Sequence, residues 1–151
     1  MRVKAGLRSS TLRTAQPYYR LRTALRLLLV AVYLIAGFFH LYATEGFVAI
    51  VPGWVPWPHA VVILTGVCEL FGAAGLLLPR SRRLAAIMLA LYAIGVFPAN
   101  IKHALEHVAL NGHVFGWGYH LPRLLFQPVL VWWPLFCAGV VDWPARGASR
   151  Q

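Results

Sequence analysis

One acidic residue, Glu69, lies deep inside a long apolar stretch of the sequence, and its chemistry sets the main functional prediction. It stands about nine residues into a segment long enough to cross a membrane, or ~14 Å at 1.5 Å per residue. A carboxyl group at that depth must be protonated, paired with a partner, or in contact with water. Ionisable residues within membrane segments are costly, and a functional role is the default hypothesis for them. Glu69 is therefore the first candidate site residue.

Four other polar residues fall at the outer ends of apolar segments: His40, Asn100, Arg123 and Gln127. Arg123 and Gln127 are four residues apart, which places them on one face of a helix. Taken singly, Asn100 and Gln127 need no more than a helix–helix hydrogen bond, worth ~0.6 kcal/mol on average. Taken together, the four residues and Glu69 occupy one half of the membrane. This distribution predicts a polar pocket that opens outward, with Glu69 at its floor.

Histidines cluster further along the chain, at His103, His107, His113 and His120. The run from His103 through Glu106 to His107 matches the HxxEH spacing of inverted zincins, and two histidines four apart on a helix can share a metal. A five-residue match is weak, and such proteases need a folded soluble scaffold. We therefore predict no metal site, with His103, Glu106 and His107 as weak candidates, and read the histidines as interfacial side chains with hydrated tips.

The composition shows which elements must position these residues. Of the 151 residues, 60% are hydrophobic and 12% charged, whereas soluble domains are about half apolar and about a quarter charged. Four apolar segments, each close to the ~20 residues that cross a bilayer as a helix, cover about 21–42, 60–78, 84–104 and 124–141. Backbone polar groups in lipid must be satisfied within the segment, which selects helix. The sequence predicts an all-α polytopic membrane protein with a four-transmembrane-helix bundle.

The positive charges predict how this bundle is oriented. Seven of the first 26 residues are basic, and Arg80, Arg82 and Arg83 form a second cluster two crossings later. Basic loops stay in the cytoplasm. We therefore expect a basic cytoplasmic tail (1–20), a membrane domain (21–142) and a cytoplasmic C-terminal tail (143–151). The net charge of +10 is divided by long uncharged runs, a distribution that argues against nucleic-acid binding.

The first outer loop, residues 43–59, is too aromatic and apolar to project into water. Trp54 and Trp57 suit the headgroup level of a membrane, where amphipathic rings are stable. Three prolines, Pro52, Pro56 and Pro58, disfavour a regular helix. We predict that this loop lies on the outer membrane surface and covers the bundle.

Several short pieces occur in a recognisable order: residues 36–40 (AGFFH), 50–56 (IVPGWVP), 65–70 (TGVCEL), 75–80 (GLLLPR), 96–101 (VFPANI) and 123–127. Over about residues 24–141 the sequence resembles the DoxX-like family of small four-helix bacterial membrane proteins. The resemblance implies a four-helix bundle in the bacterial cytoplasmic (inner) membrane. The family takes its name from a subunit of a thiosulfate:quinone oxidoreductase, and related proteins are associated with redox partners. The histidines and Trp117 of the third loop depart from the family pattern.

Two functions from different classes are compatible with these residues. In the first, the protein is an accessory or binding module, not an enzyme by itself, whose pocket holds a small amphipathic ligand or a partner helix. In the second, it is a quinone-linked subunit of an oxidoreductase complex, in which Glu69, His40 and Arg123 bind ring oxygens and relay protons. No flavin or haem motif is recognisable, so the second function requires a membrane partner protein that delivers electrons.

Overall fold

The computed structural model describes residues 4–109 and 112–143, with side chains from residue 18 onward. Within these ranges the regular elements are six helices: α1 (Lys4–Tyr42), α2 (Thr44–Val48), α3 (Pro58–Leu77), α4 (Arg82–Leu105), α5 (Trp117–Leu125) and α6 (Gln127–Cys137). The prediction of an all-helical chain is confirmed for the described part.

Three helical segments are long and apolar enough to cross a membrane: Tyr18–Tyr42, Pro58–Leu77 and Arg82–Leu105. In the most apolar part of each segment, a third of the residues or fewer are buried inside the protein. Large apolar side chains such as Leu28, Ile35 and Phe71 are more than half exposed instead. Helices that are apolar on their outer faces as well as their inner ones fit a hydrocarbon solvent, and the membrane character of the chain is confirmed at this level.

The structure changes the predicted limits of the first segment. The chain is already helical from Lys4, so α1 runs without interruption from the basic region into the first apolar segment predicted from residue 21. At the same end, Arg22 Nη2 lies 2.8 Å from Asp142 Oδ1, and its guanidinium lies 4.8 Å from the Phe136 ring centre. Residues 144–151, with most of the predicted C-terminal tail, lie outside the described residues.

The predicted helix over 124–141 has the wrong limits, because within this segment α6 covers only Gln127–Cys137, and a separate helix, α5, precedes it from Trp117 and ends at Leu125. Pro122, Pro128 and Pro134 recur every six residues, and each lacks the amide hydrogen of a regular helical turn. Amide hydrogen bonds from Phe126 to Pro122 (2.9 Å) and from Leu130 to Phe126 (3.0 Å) still carry the helical pattern across the junction. The loop between the predicted third and fourth segments is also shorter than predicted, since α5 begins at Trp117.

Helix α6 ends early for a local reason. Gly139 adopts a φ of 70°, a left-handed conformation that glycine accepts without strain. The amides of Gly139 and Val140 donate to the carbonyls of Phe136 (3.1 Å) and Leu135 (2.9 Å). This is the Schellman pattern that closes helix C-termini. The last four residues of the predicted span are therefore a cap and the chain that follows it.

Small residues bring the helices close together. A Cβ added at Gly37 would lie 2.9 Å from the Gly66 carbonyl oxygen, so α1 and α3 touch through their backbones. Small residues such as glycine allow membrane helices to approach this closely. Farther along α3, a Cβ at Gly75 would lie 2.7 Å from Ala85 Cβ of α4. The buried apolar core occupies this end of the helices: Leu29, Val30, Tyr33, Ala73, Leu76, Ala85, Ala86 and Leu89.

The first outer loop contains one helical turn, α2, which the prediction of an irregular loop missed. Trp54 and Trp57 are 75% and 80% exposed, as expected for rings at a membrane surface. Lys102 of α4 holds the loop in place by donating hydrogen bonds from Nζ to the carbonyls of Val51 (2.7 Å) and Ala49 (3.2 Å). The loop is thus attached to the helix bundle by a charged donor.

We expect Gly37→Ala to destabilise the protein by about 1–3 kcal/mol, because the new methyl group must displace a backbone oxygen or separate α1 from α3. Gly95→Ala is the matched control, since nothing lies within 4 Å of a Cβ added there. The control should be neutral or slightly stabilising, by up to ~1 kcal/mol, because alanine favours helix. Thermal unfolding in detergent measures both. Equal melting temperatures would contradict the close contact.

Candidate ligand-binding cavity

A cavity of about 710 Å³ lies between the helices and beneath the first outer loop. Its walls are mostly apolar side chains of α1, α3, α4 and α6, and loop residues such as Phe47, Val51 and Trp54 form another wall. The five residues predicted as a polar pocket all line it: His40, Glu69, Asn100, Arg123 and Gln127. The structure therefore brings together residues from four sequence segments, and their role in binding stays a prediction.

Glu69 forms the first polar group of the cavity. It is only 4% exposed. The Tyr92 hydroxyl donates a hydrogen bond to Glu69 Oε1 at 2.8 Å. On the other side, His40 Nδ1 lies 2.7 Å from Glu69 Oε2. The acid is thus held between α1 and α4 while α3 carries it.

The position of the His40 proton follows from a second contact. His40 Nδ1 also lies 3.0 Å from the carbonyl oxygen of Ala36, one helical turn back. A carbonyl oxygen can only accept, so this contact is a hydrogen bond in the tautomer that carries its hydrogen on Nδ1, which then donates to Ala36. The short approach to Glu69 Oε2 is close enough for an ion pair but lacks hydrogen-bond geometry. Oε2 is left as a buried oxygen without a hydrogen-bond donor.

Arg123, Asn100 and Gln127 form the second polar group, as a chain of directed hydrogen bonds. Arg123 Nη2 donates to Asn100 Oδ1 at 2.5 Å, and Asn100 Nδ2 donates to Gln127 Oε1 at 3.0 Å. Gln127 Nε2 then donates to the Ala93 carbonyl on α4. Every hydrogen bond in this chain points in the same direction, away from the guanidinium. The group connects α4, α5 and α6. The amide oxygens of Asn100 and Gln127 both accept hydrogen bonds from within the group.

Arg123 also fixes the state of a histidine behind the cavity. Its Nη1 lies 2.8 Å from His103 Nδ1. Because a guanidinium only donates, His103 accepts at Nδ1, and the proton of the neutral ring is on Nε2. The Tyr119 ring centre lies 5.8 Å from the same guanidinium. The Arg123 guanidinium is therefore held in place by His103 on one side and the Tyr119 ring on another.

The reading of the histidines as hydrated interfacial side chains is wrong for two of the four. His103 is 0% and His120 1% exposed, with their ring centres 4.7 Å apart. His120 Nε2 donates to the Phe115 carbonyl at 3.0 Å. Only His107 and His113 are exposed. Burial of this pair follows from α5, a helix that the predicted loop did not contain.

The proposed helical pairing of His103 with His107 does not form. Helix α4 ends at Leu105, and His107 adopts a left-handed φ of 47°, so the two histidines do not share a helix face. Within the described part of the chain, no three His, Cys, Asp or Glu residues come close enough to hold a metal ion.

Sequence reasoning missed two residues that matter for the cavity. Tyr92 supplies the hydrogen bond to Glu69, and it looked like one more aromatic residue in an apolar segment. Lys102 holds the loop over the cavity, although it lies in a segment that the charge pattern treated as uncharged. The signals that could have identified them are a tyrosine hydroxyl within an apolar segment and a lysine near the end of one.

Comparison with known proteins identifies one family. The sequence family described as a domain of unknown function (DUF8561) matches residues 29–138, a range that contains every polar residue of the cavity. No protein of curated function matches the chain. No solved structure matches it either.

Proposed function

We propose that this chain, which belongs to the DUF8561 family, is a membrane binding module that holds a small amphipathic molecule in its cavity. The observation that carries the proposal is the buried carboxylate of Glu69 on the wall of an otherwise apolar cavity of about 710 Å³. Small-molecule sites are typically apolar clefts of ~300–1,000 Å³ with a few well-placed polar groups. Burial of an acid is costly, and a ligand that uses it explains its presence.

The proposed arrangement in the membrane has four crossings in the bacterial cytoplasmic membrane, with both termini inside. The fourth crossing would consist of α5 (nine residues), Phe126 and α6 (eleven residues), close to the ~20 residues that a bilayer requires. Support comes from the positions of the basic clusters and from the resemblance to DoxX-like proteins. Under this arrangement the cavity and its loop belong to the outer half of the membrane.

Orientation is tested by labelling single cysteines in intact cells, in a Cys68→Ala background because Cys68 is exposed whereas Cys137 is buried. We expect an impermeant thiol reagent to label Gly53→Cys and to leave Arg80→Cys unlabelled until the cells are permeabilised. Both positions are exposed, so access to the reagent, not burial, decides the result. Labelling of Arg80→Cys from outside would contradict the orientation.

Ligand binding is tested by extracting the purified protein with organic solvent and identifying small molecules by mass spectrometry. Gly95 lines the cavity, and a side chain added there meets open space, so Gly95→Phe should fill part of the cavity and displace the ligand. The adjacent Ile94 is 55% exposed and does not line the cavity, which makes Ile94→Phe the matched control. Wild type and control should carry a molecule that Gly95→Phe lacks. Identical extracts would contradict the proposal.

A quinone-linked redox subunit is the second candidate. The observation that favours it is the contiguity of three proton-bearing groups at one place on the cavity wall, namely His40, Glu69 and Tyr92. Such a group can relay protons to a ring oxygen. Electrons would have to come from a membrane partner protein. Co-extraction of a quinone, or co-purification of a dehydrogenase, would favour this function over a simple binding module.

A further inference from the structure

One polar atom on the cavity wall has no hydrogen-bond partner. Among the described residues, six buried side-chain atoms lack a partner, and Glu69 Oε2 is the member of that set whose residue lines the cavity. The amide oxygens of Asn100 and Gln127 on the same wall accept hydrogen bonds already. The unmet requirement of the cavity is therefore a hydrogen-bond donor, at one defined atom.

The neighbours of Glu69 use their hydrogens in other hydrogen bonds. The Tyr92 hydroxyl has one hydrogen, which goes to Oε1. The hydrogen on His40 Nδ1 points to the Ala36 carbonyl. In the tautomer that donates to Ala36, the 2.7 Å contact places the protonated Nδ1 beside Oε2, which favours an unprotonated oxygen there. Oε2 is accordingly an acceptor, and a buried acceptor left unmet is expensive.

We infer that the ligand of this cavity carries a hydrogen-bond donor, a hydroxyl or a protonated amine, on an apolar body, and that this donor binds Glu69 Oε2. The inference rests on the proposed binding function and narrows it to one ligand class. For the second candidate function, the inference also predicts which oxidation state of a quinone the cavity would bind. An oxidised quinone ring offers only acceptors, whereas its reduced hydroquinone form offers hydroxyl donors.

Three probes of matched shape test the inference: phenylbutanol, phenylbutylamine and the methyl ether of phenylbutanol. The ether lacks the donor of the alcohol and carries one additional methyl group. Each is titrated into the purified full-length protein in detergent by calorimetry, with a detergent blank. We expect wild type to bind the alcohol or the amine roughly tenfold or more tightly than the ether, as for one hydrogen bond to a charged group. In Glu69→Leu the three affinities should become equal.

Two further variants keep the result interpretable. Glu69→Gln retains the shape of the side chain, and it should lose the preference for the amine even if Glu69→Leu fails to fold. Glu45 has a side chain that is 84% exposed, so Glu45→Leu should bind all three probes as wild type does. A preference for amine over alcohol would assign an ion pair to Glu69, and the reverse order a neutral hydrogen bond.

The failures can be told apart. If wild type binds the ether as tightly as the alcohol, recognition takes place elsewhere, for instance at Arg123, and the donor inference is wrong while the cavity remains a binding site. If the folded wild-type protein binds none of the three probes, the binding function and the inference fall together.

Discussion

Replacing Arg123 with methionine should lower the melting temperature of the purified protein by on the order of 10 °C. Methionine keeps much of the aliphatic length but donates nothing. Asn100 Oδ1 and His103 Nδ1 would both lose their donor, and Asn100 is 8% and His103 0% exposed. Each buried acceptor left without a partner costs roughly 1–3 kcal/mol. The contact with the Tyr119 ring would be lost as well.

Two controls separate this network from a general loss of charge. Arg83 is exposed, so Arg83→Met should change the melting temperature little. His103→Leu removes one of the two acceptors, and in the Arg123→Met background it should cost much less than it does alone. Such a double-mutant cycle isolates the energy of the pair. Strictly additive losses would show that the 2.8 Å contact between Arg123 and His103 contributes no stability.

The sequence was sufficient for the parts of the molecule that depend on hydropathy and length. Three of the predicted segments correspond to helices that could cross a membrane, with limits near those expected for α3 and α4. The pocket residues could be named because ionisable and amide side chains are scarce in apolar segments. Each of them had to avoid lipid, and an inward position satisfies that requirement in every case.

The sequence was insufficient where the outcome depends on tertiary partners. Hydropathy predicts one helix over 124–141. It takes no account of the prolines that separate α5 (Trp117–Leu125) from α6, or of the glycine cap that ends α6 at Cys137. In the sequence, nothing distinguishes His103 and His120 from His107 and His113. The first two are buried because α5 packs against α4. The proton positions on His40 and His103 depend on contacts with Ala36 and Arg123, which no local pattern encodes.

The last prediction concerns Glu69, where the expected effect on stability is opposite to that at Arg123. Glu69→Gln keeps an oxygen for the Tyr92 hydroxyl and removes a buried carboxyl group whose second oxygen has no hydrogen-bond donor. A neutral side chain is cheaper in an apolar environment, and His40 can carry its hydrogen on Nε2 and accept the new amide at Nδ1, so the melting temperature should stay within ~3 °C of wild type or rise. The extracted ligand should nevertheless be lost, together with the preference among the three probes for a hydrogen-bond donor. Thermal unfolding and calorimetry on the same sample measure both properties.

A residue whose removal stabilises the protein and abolishes binding is retained for what it binds, because stability alone would select against it. The same exchange at Glu45 serves as the control and should alter neither property, since that acid is exposed. The opposite outcome has an equally definite meaning. If Glu69→Gln lowers the melting temperature as far as Arg123→Met does, the carboxylate acts mainly as a connection between α1 and α4 through His40 and Tyr92. The cavity would then be a by-product of helix packing, and the proposed ligand site would be wrong.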